Sequence, residues 1–406
     1  MAADDDQLRP WEWEVATQLV RGGSVRSPFG ETAEALYLTQ SFVYDSAESA
    51  DARFAGDLPG FVYSRYANPT VKMFEDRLAL LEGAEACRAQ ASGMASVHMA
   101  LMGLLKAGDH VVAGRALFGS CRWILNVWAP RFGVETTLVP APDVEAWRAA
   151  VRPNTTVFLI ETPANPLLEI TDIAAVSAIA REVGAKVVVD NVFATPILQK
   201  PLQLGADVVA YSATKHIDGH GRVLGGAILG AEALLDEAYR DPIRHTGPAL
   251  SPFNAWVLLN GLVTLDLRVR RQTETAALLA DRIAGHAKVR ACRYPGRTDH
   301  PQYEIARRQM TGGTNEMIGG GTLIAFDLGS QAAAFNFLNA LSIVDISNNL
   351  GDARSMATHP STTTHRSMSD EQRLEIGLTE GWVRLSTGLE GSADLARDIE
   401  RALDAA

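Results

Sequence analysis

Between Glu85 and Leu229 short apolar runs alternate with stretches of helical periodicity, and that alternation narrows the fold more than any other feature. Strands are expected at His110–Ala113, Val157–Glu161, Lys186–Asn191, Asp207–Ser212 and Gly226–Leu229. Helices are expected between them, at about Met94–Leu105, Cys121–Phe132, Val144–Val151 and Ile173–Val183. Apolar strands separated by helices imply βαβ units and a mostly parallel sheet covered on both faces, an α/β class. Ligands of such sheets bind at the carboxyl ends of the strands.

The flanking regions read differently. Residues 1–62 alternate polar and aromatic pieces with turn residues at Gly22-Gly23, Pro28, Gly30 and Pro59-Gly60, so little stable structure is expected and the segment reads as an arm for subunit contacts. A helix follows over Val71–Glu82, where Phe74, Leu78 and Leu81 recur at helical spacing, with Thr70 as its expected N-cap. Residues 63–252 make a large domain. From Phe253 to about Ile283 one long amphipathic stretch connects to a smaller α+β domain, together spanning residues 253–406. There strands are expected at Val289–Tyr294, Thr322–Asp327, Ile343–Ile346 and Trp382–Ser386, and helices at Gln331–Leu341 and Ala393–Leu403.

Charge and cysteine usage exclude whole classes of partner. A net charge of -11 over 406 residues argues against nucleic acid and against an anionic membrane surface, leaving a small molecule. Cys87, Cys121 and Cys292 form no short-spaced pair, so neither a disulfide framework nor a metal site is indicated and a reducing cytoplasm is expected. The start Met1-Ala-Ala-Asp-Asp-Asp6 is acidic where a secretory signal would be basic. The apolar run Val97–Leu105 falls far short of the roughly 20 residues of a membrane span and reads as a buried helix.

Lys215, in Tyr211-Ser-Ala-Thr-Lys-His216, follows the fourth of these strands and precedes the glycine-rich Asp218-Gly-His-Gly-Arg-Val-Leu-Gly-Gly226. A lysine there could form a Schiff base while the hydroxyls of Ser212 and Thr214 hold a phosphate, which suggests pyridoxal 5'-phosphate; the alternative is an exposed lysine ending a strand. Asp190 ends the neighbouring strand, where it could face a pyridine nitrogen or simply cap a helix. Asn165, in Glu161-Thr-Pro-Ala-Asn-Pro166, could donate to a phenolic oxygen or initiate a turn. Ala91-Ser-Gly-Met-Ala95 is a glycine turn opening a helix, a geometry that binds phosphate and that also serves as an ordinary serine N-cap.

These pieces occur in the order phosphate cup, phenol contact, ring-nitrogen acid and lysine. With Tyr63-Ser-Arg-Tyr-Ala-Asn-Pro-Thr70, Ser92-Gly-Met-Ala95, Asn165-Pro166, Val189-Asp-Asn191, Ser212-Ala-Thr-Lys215 and Val383-Arg-Leu-Ser386, the chain resembles over nearly its whole length the pyridoxal-phosphate enzymes of cysteine and methionine metabolism. The resemblance implies a fold-type I transferase with a seven-stranded, mostly parallel sheet in the large domain. It implies that Lys215 carries the cofactor and moves protons, that Asp190 pairs with the ring nitrogen, and that Gly93, Met94, Ser212 and Thr214 hold the phosphate. It further implies that Tyr63 and Arg65 reach the phosphate of a neighbouring subunit in a tetramer built from dimers, and that Arg384 grips the substrate's α-carboxylate. Phe118 stands where many members stack a tyrosine on the ring, Gly219-His-Gly-Arg222 replaces Gly-His-Ser-Asp, and Asn348-Asn-Leu-Gly351 replaces Ser-Leu-Gly, which puts Asn349 at the substrate. These departures, with Thr358-His-Pro-Ser-Thr-Thr-Thr-His365, are similar to the O-succinylhomoserine sulfhydrylase branch, whose reaction joins a homoserine ester to sulfide. Arg222, Arg115 and Arg53 are candidates for recognising a distal carboxylate on the leaving group.

Overall fold

Seven strands form the larger sheet of the computed structural model, which describes residues 9–314 and 316–406. The acidic start Met1–Asp6 lies outside the described residues. The strands are β1 (Ala86–Gln90), β2 (His110–Gly114), β3 (Glu135–Val139), β4 (Thr155–Glu161), β5 (Lys186–Asp190), β6 (Val208–Tyr211) and β7 (Gly226–Gly230), in the spatial order β1-β7-β6-β5-β4-β2-β3. The pairs β2·β3, β2·β4, β4·β5 and β5·β6 are parallel, and β7 runs antiparallel between β6 and β1. Val187, Val188 and Val189 of β5 are all buried, as are Val157 to Ile160 of β4, because helices cover both faces of the sheet. One face packs on Gly93–Met102 and Glu232–Thr246, and Ile173–Glu182 covers the other.

The sheet contains two strands beyond the five expected, β1 and β3, and both are its edges. β1 is Ala-Cys-Arg-Ala-Gln and β3 is the mostly half-buried Glu-Thr-Thr-Leu-Val, so neither carries the continuous apolar run that marks the central strands. The first long helix runs Pro69–Glu82, and its N-cap is Asn68, correcting the expectation of Thr70. Asn68 Oδ1 accepts from Thr70 N at 2.9 Å, while Pro69 takes the first helical position, where its missing N–H costs nothing. The Thr70 hydroxyl instead accepts from Tyr37 N at 2.9 Å and donates to Ala35 O at 3.0 Å.

The N-terminal segment is more ordered than expected. It holds helices Val15–Arg21 and Ala47–Ala55, and Glu34 pairs with the buried Arg77 of the first long helix. The same segment leaves large apolar side chains in solvent, among them Phe29 at 95% and Val43 at 93% exposure. The long connecting stretch is two helices, Pro252–Leu262 and Leu265–Ala284, broken at Val263-Thr264. Beyond it β8 (Ala291–Arg293), β9 (Leu323–Asp327), β10 (Asp345–Ile346), β11 (Met356–Thr358) and β12 (Trp382–Ser386) form a second sheet in the order β10-β11-β12-β9-β8. Helices Gln331–Ala340 and Ser392–Ala405 pack on it around Phe326, Phe337 and Leu395. No helix among the described residues is long and apolar enough to cross a membrane.

Candidate active site

The parallel strands β4, β5 and β6 all end on one edge, so consecutive carboxyl termini deliver Glu161, Asp190 and, just past Tyr211, Ser212 to the same place. Across β4 and β5 Glu161 stands in register with Asp190. A cavity of about 260 Å³ opens there, lined by Ser92, Gly93 and Met94 of one helix start, by Phe118, Glu161, Asn165, Asp190, Ser212, Thr214 and Lys215, and by Arg384 from β12. Of the expected site residues, nine line this one cavity and Asn349 reaches it through Lys215.

At one end Ser92 caps helix Gly93–Met102, its hydroxyl accepting from Ala95 N at 3.1 Å. The Gly93 and Met94 N–H groups belong to the first helical turn, which has no intrahelical acceptor, so they are donors available to an anion. Gly93 also lets this helix meet the strand end: a Cβ there would lie 2.4 Å from Ser212 Cβ. The Thr214 hydroxyl donates to Gly225 O at 3.2 Å and accepts from Gly225 N at 3.1 Å, pinning the glycine-rich return against the lysine segment.

Lys215 Nζ donates to Asn349 Oδ1 at 2.6 Å. Burial, with the charge of Arg384 adding to it, lowers Lys215 to about 8. Arg384 is itself 2% exposed, and its fork is held from two sides: Nη1 donates to Asn165 Oδ1 at 2.8 Å and Nη2 to Asn348 O at 2.9 Å. Asn165 thereby spends its oxygen on Arg384 and keeps its amide nitrogen for another acceptor. The same cavity holds two carboxyl groups, Glu161 buried and Asp190 half-buried. Burial raises Asp190, and burial together with the Asp190 charge raises Glu161. Cys121, whose thiol burial also raises, completes a trio with ligand atoms within 4.8 Å of one another.

Glu161 and Cys121 carry no role in the sequence-based expectations; the signal for Glu161 was its place at a strand end, the same placement that singled out Asp190. Tyr63 and Arg65 do not line the cavity of their own chain. The Arg65 guanidinium lies 4.8 Å over the Tyr66 ring and 5.5 Å over Tyr63, and donates to Arg244 O. Nor do the three candidate cations for a leaving group line it: Arg222 pairs with Asp218 at 3.0 Å, Arg53 stacks 5.6 Å over Tyr44, and Arg115 also lies outside the lining.

The residues fit pyridoxal phosphate. The cavity has helix-start donors and a hydroxyl at one end, a carboxyl group at a strand end for a ring nitrogen, an unspent amide for a phenolic oxygen, an apolar ring at Phe118 and a buried amine. The family model for Cys/Met metabolism PLP-dependent enzymes matches residues 16–404. An O-succinylhomoserine sulfhydrylase of Mycobacterium tuberculosis is 53% identical over 393 residues, covering 96% of this chain and 95% of that protein. An L-methionine gamma-lyase of Treponema denticola is 39% identical over 393 residues, covering 96% of each. A solved structure from Campylobacter jejuni that carries N'-pyridoxyl-lysine-5'-monophosphate superposes with a TM-score of 0.91 at 26% identity, over 97% of this chain and all of the other.

Proposed function

The chain belongs to the Cys/Met metabolism PLP-dependent enzyme family, and from that premise we propose that it catalyses a γ-replacement, converting O-succinyl-L-homoserine and sulfide to L-homocysteine and succinate. Bound pyridoxal phosphate supplies an aldehyde for the substrate's amino group and a ring that takes up the electron pair left when Cα loses its proton. In this proposal Gly93, Met94, Ser212 and Thr214 hold the phosphate, Asn165 meets the phenolic oxygen, Asp190 keeps the ring nitrogen protonated and Phe118 covers the ring. Arg384 binds the substrate α-carboxylate with the planar fork that Asn165 and Asn348 hold in place.

Lys215 moves the protons. Lowered to about 8, its amine is a base at physiological pH in a usable fraction of molecules, and its conjugate acid is strong enough to give the proton back. Nζ takes the Cα proton, departure of the γ-substituent follows loss of a Cβ proton, and both carbons are reprotonated after hydrosulfide has bonded to Cγ. Asn349 holds Nζ at 2.6 Å and sets the position from which it acts.

The observation that carries the choice of leaving group is Phe118. A phenyl ring at this place has no proton to give, and the carboxyl groups of the cavity, Glu161 and Asp190, lie within 4.8 Å of each other and of the Cys121 thiol. A γ-substituent must then depart without protonation from Phe118, which suits a carboxylate, with a conjugate-acid pKa of about 4, far better than a thiolate, at about 8.5. A sulfhydrylase relative at 53% identity supports the same choice. The gamma-lyase relative supports a second one, in which water completes the reaction and 2-oxobutyrate and ammonia leave.

Steady-state rates with O-succinyl-, O-acetyl- and O-phospho-L-homoserine, each with sulfide and with cysteine, separate these proposals. The succinyl ester with sulfide is expected to give the highest kcat/KM; 2-oxobutyrate in place of homocysteine would overturn the transferase assignment. We further propose a homotetramer in which dimers share active sites, which the exposed apolar side chains of the N-terminal segment support, and a cytoplasmic location.

A further inference from the structure

Glu161 is 6% exposed and sits at the end of β4, yet no cation among the described residues forms an ion pair with it. Its two oxygens are each spent on a backbone. Oε2 accepts from Phe118 N at 2.7 Å, and Oε1 accepts from Asn165 N at 2.9 Å. Phe118 and Asn165 come from separate loops after β2 and β4, and apart from this carboxylate no hydrogen bond among the described residues ties one to the other. Phe118 opens helix Gly119–Trp123 with no side-chain cap, so its backbone at the cavity is fixed by Glu161. Asn165 in turn holds Arg384 Nη1 at 2.8 Å.

We propose that Glu161 is a positioning residue that fastens Phe118 and Asn165 to the strand edge, and so sets both the ring that covers the cofactor and the arginine that receives the substrate carboxylate. One side chain thus couples two contacts that would otherwise be independent loop positions. A carboxyl group is suited to this because both of its oxygens can accept from an N–H in a fixed plane, whether it is ionised or carries its proton turned away from them; an amide of the same shape offers one acceptor and turns a donor toward the other N–H. Glu161 also stands in register with Asp190, and Cys121 and Arg384 are its other charged or titratable neighbours, so both carboxyl groups and the thiol cannot be ionised together. The position is therefore built for geometry, with the charge of the strand edge left to Asp190 when the ring nitrogen is beside it.

This inference rests on the assignment of the cavity to the cofactor and on Arg384 as the carboxylate site, not on which ester the enzyme takes. Two variants test it, Glu161→Gln and the acid-preserving Glu161→Asp, each as the holoenzyme. In Glu161→Gln the visible circular dichroism per bound cofactor, which reports how firmly the cofactor is held in one orientation, is expected to fall at least twofold, and KM for the homoserine ester to rise by about tenfold with a smaller change in kcat. Glu161→Asp is expected to recover part of both, and it carries the test if the glutamine variant does not fold. A double-mutant cycle of Glu161→Gln with Asn165→Ala is expected to be non-additive in KM. Wild-type dichroism and KM in Glu161→Gln, or strict additivity with Asn165→Ala, would overturn the proposal. The dichroism does not depend on the γ-substituent, so a failed sulfhydrylase assignment leaves it interpretable.

Discussion

Replacing Gly93 with alanine would put a methyl carbon 2.4 Å from Ser212 Cβ, 2.5 Å from Ser212 Oγ and 2.8 Å from Ser212 Cα. The serine side chain can rotate its hydroxyl away, but Cα and Cβ belong to a strand end held between β5 and β7, so the helix start must retreat. Restoring ordinary van der Waals contact takes about 1 Å of separation, and overpacking of this kind costs about 1–3 kcal/mol. That retreat carries the Gly93 and Met94 N–H groups away from Ser212, splitting the proposed phosphate cup. Cofactor affinity is therefore expected to fall by tenfold or more, since about 1.4 kcal/mol is a factor of ten. The assay is a spectrophotometric titration of apoenzyme with pyridoxal phosphate, with apoenzyme thermal stability measured alongside. Gly285→Ala is the control, because the added methyl there meets nothing nearer than 3.4 Å and the backbone is not left-handed. A Gly93→Ala protein that binds the cofactor with wild-type affinity would refute the assignment of this helix start to the phosphate.

The other predictions concern charge and proton transfer. Lys215→Ala is expected to lose the visible absorbance of the holoenzyme, and an unchanged spectrum would remove the central assignment. In the apoenzyme, the lowered value of Lys215 makes the buried ammonium a cost to folding that is full below about 8 and fades as pH rises toward the ordinary lysine range near 10.4. Lys215→Met should therefore raise the apoenzyme Tm relative to wild type most at pH 7 and least near pH 10, and a pH-independent difference would contradict the burial of that charge. Phe118→Tyr introduces a phenol, and is expected to raise 2-oxobutyrate formation from L-methionine by roughly tenfold or more while leaving ester turnover with sulfide within a few-fold. Arg65→Ala is expected to weaken cofactor retention although Arg65 does not line its own chain's cavity; undiminished retention would separate Arg65 from the phosphate.

What the sequence makes legible follows from how local each feature is. Central strands such as Lys186–Asp190 are buried on both faces, and burial writes itself as consecutive valines. The edge strands β1 and β3 owe their conformation to pairing on one side, with β7 and β2, which leaves no local signature. The break at Val263-Thr264 is hidden because apolar side chains recur on both sides of it. Its reason is tertiary: a Cβ at Gly261 would meet Ile217 O at 2.3 Å, and Arg268 reaches His216 O at 2.7 Å, so the two helices diverge around the segment that follows Lys215. At the site, Asp190, Lys215 and the Ser92-Gly93 turn were readable from residue type at an element end. The links from Arg384 to Asn165 and from Lys215 to Asn349 join the two sheets across long stretches of chain, and no spacing announces them. Glu161 went unassigned because its partners are backbone N–H groups, which carry no sequence signal.

The charges of the cavity also bear on the assembly. Among the described residues that line it, the cations are Lys215 and Arg384 and the carboxyl groups are Asp190 and Glu161, which burial and mutual repulsion keep from ionising together. In the proposed site a bound ring nitrogen would take up Asp190, and the substrate carboxylate would take up Arg384. The phosphate, close to a dianion at neutral pH, would then be met there by neutral donors: two helix-start N–H groups and the Ser212 hydroxyl, the Thr214 proton being spent on Gly225 O. A water-excluding pocket holds such a group far better with a guanidinium against it. Arg65 is the candidate, half-buried beside Tyr63 and Tyr66 and outside the lining of its own cavity, next to a segment whose Phe29 and Val43 are bare. A second copy that buries that apolar segment would deliver Arg65 to the phosphate end of its neighbour's site, so conditions that dissociate the subunits should cost cofactor retention just as Arg65→Ala does.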